Sequence, residues 1–85
     1  MKSDEVAIRG KALYEDRIRL LVETPANIGK MVIIDVETGD YEVDDLGLAA
    51  SRHLQAKRPD AILYGIRIGY KAAEAIGGVL ERVAL

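Results

Sequence analysis

Residues 28–43, IGKMVIIDVETGDYEV, decide the fold, because they predict a β-hairpin whose first arm is apolar on both sides. Side chains alternate along a strand, so the apolar residues divide between two faces, with Met31 and Ile33 on one and Val32, Ile34 and Val36 on the other. A strand of this kind belongs in the middle of a sheet that is covered on two sides. Gly39 in the turn accommodates the positive φ angle that a tight hairpin needs.

Helical patterns lie on both sides of the hairpin. An apolar stripe predicts a helix from about Asp4 to Glu23, and the following Thr24–Pro25 ends it. A second helix is predicted from a cap at Asp44 to about Lys57. Its predicted core-facing residues follow helical spacing and are Leu46, Ala49, Ala50, His53 and Leu54.

The third strand is predicted from Ala61 to Ile68, where apolar residues alternate. A right-handed crossover from the second strand to the third places the first strand in the centre, in the order 2-1-3. The sequence therefore predicts an α+β fold in the order α-β-β-α-β, with helices packed on a small, mostly antiparallel sheet. A short helical turn from Lys71 to Ile76 is expected next, and residues 79–83 fit a short strand or a helix equally well.

Size and composition favour one small domain over residues 1–85. The chain has no cysteine, which excludes disulfide and thiol chemistry and fits a reducing compartment. The N-terminus is too polar for a signal peptide, and no apolar run approaches the roughly 18 residues of a membrane span. We therefore expect a cytoplasmic protein whose small core favours association with another chain.

Acidic residues are concentrated in and after the hairpin, with no basic residue among them: Asp35, Glu37, Asp40, Glu42, Asp44 and Asp45. The spacing fails the calcium-loop pattern, because the glycine falls at position 5 and position 12 is Leu46. We predict solvated carboxylates and no metal or cofactor. Asp40 and Glu42 are expected to face water, where they are available to a basic partner surface.

Catalytic residues are not evident. His53 is the only histidine, and its place on the apolar stripe predicts a partly buried ring that is hydrogen-bonded to backbone. Neither Ser3 nor Ser51 makes a plausible nucleophile with it. Glu37-Thr38-Gly39 is superficially similar to the Asp-Thr-Gly of aspartic proteases, but its acid is wrong and it lies in a predicted turn. We predict a protein that is not an enzyme.

The end of the third strand carries the most suggestive residues, Gly65, Arg67 and Gly69. Small residues on one strand face let another backbone or a ligand approach closely, and an arginine between them offers a planar fork to a carboxylate or phosphate. The simpler interpretation, which we favour, is a twisted strand end in which Arg67 pairs with a carboxylate such as Asp35 across the sheet.

Four segments carry a resemblance: residues 29–35 (GKMVIID), residues 37–42 (ETGDYE), residues 59–64 (PDAILY) and residues 67–70 (RIGY). They resemble a group of short bacterial proteins, frequent in cyanobacteria, for which no activity is established. Members of that group are similar to small partner proteins encoded beside another gene, sometimes one resembling a retroviral-type aspartic protease. The resemblance implies an accessory or antitoxin-like role and supplies no catalytic residue.

The sequence therefore predicts a non-enzymatic protein–protein interaction module, either a homo-oligomer such as a dimer or the partner of a co-encoded protein. We expect part of the sheet surface, or the edge formed by its second or third strand, to be left available for association. The alternative is a small nucleic-acid-binding protein. Its basic residues would be Arg52, Lys57, Arg58, Arg67 and Lys71.

Overall fold

The computed structural model describes residues 1–71 and 81–82. Its elements in chain order are α1 (Ser3–Leu13), a π-helical segment (Tyr14–Ile18), α2 (Arg19–Val22), a 3-10 turn (Pro25–Asn27), β1 (Met31–Asp35), β2 (Tyr41–Asp44), α3 (Leu48–Lys57), β3 (Leu63–Arg67), β4 (Tyr70–Lys71) and β5 (Glu81–Arg82). We call the run from α1 to α2 the N-terminal helix. It covers residues 3–22, so the predicted helix and its end before Thr24–Pro25 are confirmed.

The sheet has the predicted strand order, β2-β1-β3, with β1 antiparallel to both neighbours. In its register Ile33 lies between Glu42 and Gly65, and Ile34 lies between Tyr41 and Tyr64. The α+β class and the central position of β1 are therefore confirmed. The chain passes from β2 to β3 through α3 and skips over β1 in doing so.

One face of the sheet packs against the N-terminal helix. Its core contains Tyr14, Ile18, Val22, Val32, Ile34, Ile66 and Ile68. The three helical members recur every fourth residue. A π-helical turn is wider than an α-helical one, so the π-helical segment helps to keep Tyr14 and Ile18 on the same side. Leu20 and Leu21, which lie between the buried positions, are exposed.

The other face packs against α3 and has a smaller core, formed by Ile33, Ala50 and Leu54. The helix begins at Leu48, not directly after Asp44 as predicted, because Gly47 adopts a φ of 86° in front of it. The predicted cap still contributes, since the carboxylate of Asp44 accepts hydrogen bonds from the Ala49 and Ala50 N–H groups at 2.9 and 3.2 Å.

The core-facing side of α3 is narrower than the predicted one. Leu46 and His53 were predicted to point inward, but Leu46 is 76 % exposed, and the side chain of His53 is 70 % exposed. Ala49 is exposed as well, while Ala50 and Leu54 are buried as predicted.

The hairpin loop closes between Asp35 and Asp40. The Asp35 N–H donates to the Asp40 carbonyl and the Gly39 N–H donates to the Asp35 carbonyl, both at 2.8 Å. Gly39 has a φ of 82°, which confirms the predicted positive angle. Arg17 of the N-terminal helix donates to the Gly39 carbonyl at 2.8 Å, so the loop is joined to the helix.

The C-terminal prediction is tested only in part. Lys71 belongs to β4 and not to a helical turn, because Tyr70 and Lys71 pair with Arg82 and Glu81 of β5. Residues 72–76 lie outside the described part of the chain, and of residues 79–83 only Glu81 and Arg82 are described, as strand. Among the described residues, no helix has the length and apolar character needed to cross a bilayer.

Candidate functional site

β3 is an edge strand of the three-stranded sheet, and no strand among the described residues pairs with its outer side. The Ile68 N–H donates to the Lys30 carbonyl at 2.8 Å, and the Val36 N–H donates to the Ile62 carbonyl at 3.0 Å. Backbone groups alternate in direction along an antiparallel strand, so every second residue of β3 is turned away from β1. The N–H and C=O groups of Leu63, Gly65 and Arg67 therefore point outward, and we call this row the β3 edge.

The sheet surface beside the β3 edge is open at Gly65. Helix α3 packs mainly on β2 and β1, and Gly65 is exposed. A Cβ atom added at Gly65 would meet only the ends of Met31 and Ile33, at 3.1 and 3.2 Å, and no atom of α3 within 4 Å. Another backbone can therefore approach this point closely.

The opposite edge of the sheet is protected. β2 carries Glu42 and Asp44 and is flanked by Asp40 and Asp45, and α3 packs closely over it. Charged side chains on an edge strand discourage pairing with another chain. β3 has a single charged residue, Arg67, whose guanidinium donates to the Gly29 carbonyl at 2.6 Å. Within the part of the chain that the structure describes, β3 is therefore the edge that is open to pairing.

The predicted interaction residues lie in four separate places. Gly65 and Arg67 lie together on the β3 edge, and Glu42 lies in the same row across the sheet, opposite Ile33. Glu42 does not simply face water, because it is half-buried and binds His53 at 2.8 Å between Oε1 and Nδ1. Asp40 is exposed at the hairpin loop. Gly69 is buried against Ile28, so it offers no approach to another backbone.

The predicted pair between Arg67 and Asp35 is wrong. Asp35 instead accepts a hydrogen bond from Arg58 at 2.7 Å, and Arg58 also reaches Glu37 at 3.2 Å. Asp35 is 1 % exposed, and its Oδ1 also accepts from the Glu37 and Thr38 N–H groups. Arg58 follows α3 directly, so this cluster ties the end of α3 to the hairpin loop.

Two opposing effects act on the Asp35 carboxyl. Burial raises the pKa of Asp35, but hydrogen bonds from the Glu37 N–H and from Arg58 outweigh burial and hold that pKa below its usual range. The group is therefore a buried carboxylate that stays charged. Sequence reasoning missed this cluster, although an aspartate among apolar strand residues was a signal that a cation must come close.

No pairing of a nucleophile with a base is seen for the serine and histidine on α3. The Ser51 hydroxyl donates to the Gly47 carbonyl at 2.7 Å, and His53 binds Glu42. The predicted backbone hydrogen bond of a partly buried His53 is therefore wrong. Tyr14 is buried and donates to Glu23 at 2.7 Å; burial, then this hydrogen bond, raises the pKa of its hydroxyl. Residues 1–71 contain no group of three or more side chains placed to bind a metal ion.

A shallow groove of about 470 Å³ separates the N-terminal helix from the hairpin loop. Charges of both signs line it, from Arg9 and Arg17 to Asp16 and Glu37. Arg17 is engaged by the Gly39 carbonyl and Glu37 by Arg58. Two of the four charged residues that line the groove therefore have intramolecular partners, and because the four carry both signs, the groove does not present a charge of one sign to a ligand.

Comparisons with protein-family models, with curated proteins and with solved structures find no match to this chain. The candidate site therefore stands on its geometry alone, and the resemblance to the cyanobacterial group stays a prediction.

Proposed function

We propose that this chain is a non-enzymatic protein–protein interaction module that binds another polypeptide by adding a strand to the β3 edge. The observation that carries the proposal is the row of outward backbone groups on Leu63, Gly65 and Arg67, with the exposed Gly65 at its centre. A row of unpaired N–H and C=O groups is a template for another strand. Strand addition derives affinity from main-chain hydrogen bonds and selectivity from side chains beside the edge.

The surroundings of the β3 edge provide that selectivity. Leu63 and Met31 are partly buried and pack against the core under α3, so each keeps some apolar surface exposed. Arg67 lies at one end of the edge and is positioned by the Gly29 carbonyl. A second copy of the chain and a co-encoded protein are both candidates for the added strand, and an accessory or antitoxin-like role belongs to the second case.

The nucleic-acid alternative has less support. Two of its five basic residues have structural partners, since Arg58 binds Asp35 and Arg67 binds Gly29. Arg52 and Lys57 are exposed on α3, and Lys71 lies in β4. Three cations supply little of the phosphate neutralisation that such binding needs. The net charge of −2 also opposes nonspecific attraction to a polyanion.

The proposal is tested by a proline substitution that removes one outward donor. The Gly65 N–H points away from β1, so Gly65→Pro deletes a β3-edge donor without removing a hydrogen bond of the sheet. Val43→Pro is the matched control, because the register turns the Val43 N–H outward on the β2 edge. The wild-type chain and both variants are produced at equal levels in the source cells and crosslinked there.

We expect wild-type and Val43→Pro chains to give protein adducts of discrete mass, and Gly65→Pro to lose them. Gly65→Ala, which keeps the N–H group, should retain the adducts. Adducts that persist in Gly65→Pro, or no adduct in any variant, would contradict the proposal. Adducts that disappear after nuclease treatment would support the nucleic-acid alternative instead.

A further inference from the structure

The geometry points to a specific occupant of the β3 edge, an inference that rests on the proposed function. We infer that the added strand is β3 of a second copy, antiparallel to the first and related to it by a two-fold axis at Gly65. The combined sheet then runs β2-β1-β3-β3-β1-β2 across two chains.

The spacing of the outward groups is symmetric about Gly65. Leu63 and Arg67 lie two residues to either side of it, and all three turn their N–H and C=O groups outward. An antiparallel copy centred there places Gly65 opposite Gly65, and Leu63 opposite the Arg67 of the other chain. Outward groups then meet outward groups along the whole edge, as an antiparallel ladder requires.

The side chains are compatible with this register on both faces. On the face of the N-terminal helix, Tyr64 lies opposite Ile66 of the other copy, a pair of aromatic and β-branched residues that stabilises antiparallel sheets. On the α3 face, Leu63 lies beside the aliphatic stem of Arg67 of the other copy. The two glycines at the axis leave room for the backbones to approach.

Charge favours this pairing over a symmetric β2 pairing. β2 carries Glu42 and Asp44 and is flanked by further acids, so two β2 strands would place like charges side by side. In the β3 pairing, each copy contributes only Arg67 to the edge, at opposite ends. Four residues separate the arginine from its symmetry mate along the strand, a distance of about 13 Å. That exceeds the Debye length of about 8 Å at physiological salt.

Closure also favours a second copy paired through the same strand. If β3 paired with β2 of the next chain, each added copy would leave another β3 edge free, and the assembly would grow without limit. A β3–β3 pair uses both open edges at once. It leaves only the two β2 edges, which their acidic residues protect.

Sedimentation equilibrium of the purified chain from about 1 to 200 μM tests the inference. We expect a mass of twice the 9.3 kDa chain, with a dissociation constant that rises at least tenfold in Gly65→Pro and is unchanged in Val43→Pro. Circular dichroism verifies that each variant is folded.

A second variant keeps the inference falsifiable if Gly65→Pro does not fold. The chain has no cysteine, so Gly65→Cys introduces a single thiol at the proposed axis. Opposite residues of a hydrogen-bonded antiparallel pair have Cα atoms about 5.5 Å apart, which a disulfide can span. Mild oxidation should link Gly65→Cys into dimers much faster than Arg52→Cys, whose cysteine lies on the exposed side of α3.

The outcomes separate the inference from the proposed function. A monomer at all concentrations, with in-cell adducts that Gly65→Pro removes, would overturn the second-copy occupant and leave the interaction module standing. A dimer that persists in Gly65→Pro, with equal oxidation rates for the two cysteine variants, would overturn the β3 edge as the interface. A mass that keeps growing beyond the dimer would favour the open β3–β2 assembly and contradict the two-fold arrangement.

Discussion

The two faces of the sheet differ in the kinds of side chain that they carry. The register assigns only apolar and aromatic sheet residues to the face of the N-terminal helix: Val32, Ile34, Tyr41, Val43, Tyr64 and Ile66. The same register assigns a mixture to the α3 face: Met31, Ile33, Asp35, Glu42, Asp44, Leu63, Gly65 and Arg67. The face of the N-terminal helix is held mainly by apolar burial, and the α3 face depends in large part on charged groups that have hydrogen-bond or ion-pair partners.

The two faces therefore contribute differently to the fold: one supplies most of the stability, and the other fixes the position of α3. Apolar burial is nondirectional and scales with area, so the face of the N-terminal helix provides most of the core. The α3 face gains less from burial, but its directed contacts, from Asp44 to the α3 N-terminus and from Asp35 to Arg58, fix where the helix lies. A helix placed over β2 and β1 is also what leaves Gly65 and the β3 edge open.

The largest expected effect is on the face of the N-terminal helix. Ile34 is 0 % exposed, so Ile34→Asp places an unpaired charge in an apolar core at a cost of several kcal/mol. That is comparable to the whole stability of a small domain. We expect no cooperative thermal transition by circular dichroism. Leu20→Asp, at an 86 % exposed site of the N-terminal helix, is the control and should melt like the wild type; an unchanged melt of Ile34→Asp would contradict the central position of β1.

The second largest loss of stability is expected when the cluster of Asp35, Arg58 and Glu37 is broken. Asp35→Asn removes the carboxylate that binds Arg58 and the hairpin N–H groups. We expect the free energy of unfolding to fall by about 3 kcal/mol at pH 7, measured by urea titration.

The same variant tests the pH dependence. The pKa of Asp35 is lower in the folded chain than its unfolded value of about 3.9, so its contribution is fully present above that value and is lost as the pH falls through the folded pKa. The stability of the wild type should therefore drop below about pH 4 more steeply than that of Asp35→Asn. Asp45→Asn, at an exposed site, is the control for removing one carboxylate from the chain. Equal slopes for wild type and Asp35→Asn would show that the cluster carries no pH-dependent stability.

A smaller loss of stability is expected when a glycine on either face is replaced by alanine. A Cβ atom added at Gly10 would lie 2.9 Å from the Cβ of Tyr64 and closer still to its ring, where the tyrosine cannot easily move away. We expect Gly10→Ala to cost about 1–2 kcal/mol in urea titration, after the gain in helix propensity is subtracted. At Gly65 the neighbours are flexible side-chain ends, so Gly65→Ala should cost less than about 0.5 kcal/mol. The reverse order of the two costs would mean that the α3 face is the tighter one.

The smallest effect is expected from the ion pair between α3 and β2. His53 is largely exposed, and exposed pairs contribute about 0–1 kcal/mol. A double-mutant cycle of His53→Ala and Glu42→Gln should give a coupling energy below about 0.5 kcal/mol at pH 6. A coupling above about 1 kcal/mol would place this pair among the contacts that hold α3 on the sheet.

The backbone plan of the fold could be predicted because it depends on local patterns. The two apolar faces of β1 implied a central strand, Pro25 marked the end of the N-terminal helix, and Gly39 marked the turn. These signals act through sterics and alternation over a few residues. The strand order then followed from the rule for crossovers.

The contacts on the α3 face could not be predicted in the same way. Gly47 delays the start of α3, so Leu46 lies before the helix, and the buried stripe of Ala50 and Leu54 is narrow enough to leave His53 exposed. The partner of Asp35 is Arg58, which lies just after α3, so its position depends on how the whole helix packs. The β3 edge could be predicted only in part. The sequence suggested Gly65 and Arg67 and an available strand edge, but only the register shows which backbone groups point outward.

The crossover through α3 has a consequence for the order in which the chain is made. β1 and β2 are close in sequence and can pair as soon as both have been synthesised, whereas β3 follows only after α3. The buried side of the N-terminal helix, synthesised first, needs Ile66 and Ile68 to complete its core. Long-range pairing of this kind is slow to form and leaves apolar surface uncovered meanwhile. Because the ladder with β1 aligns β3, its outward row becomes a continuous edge only as the domain closes, and a nascent chain emerging from the ribosome does not yet present it.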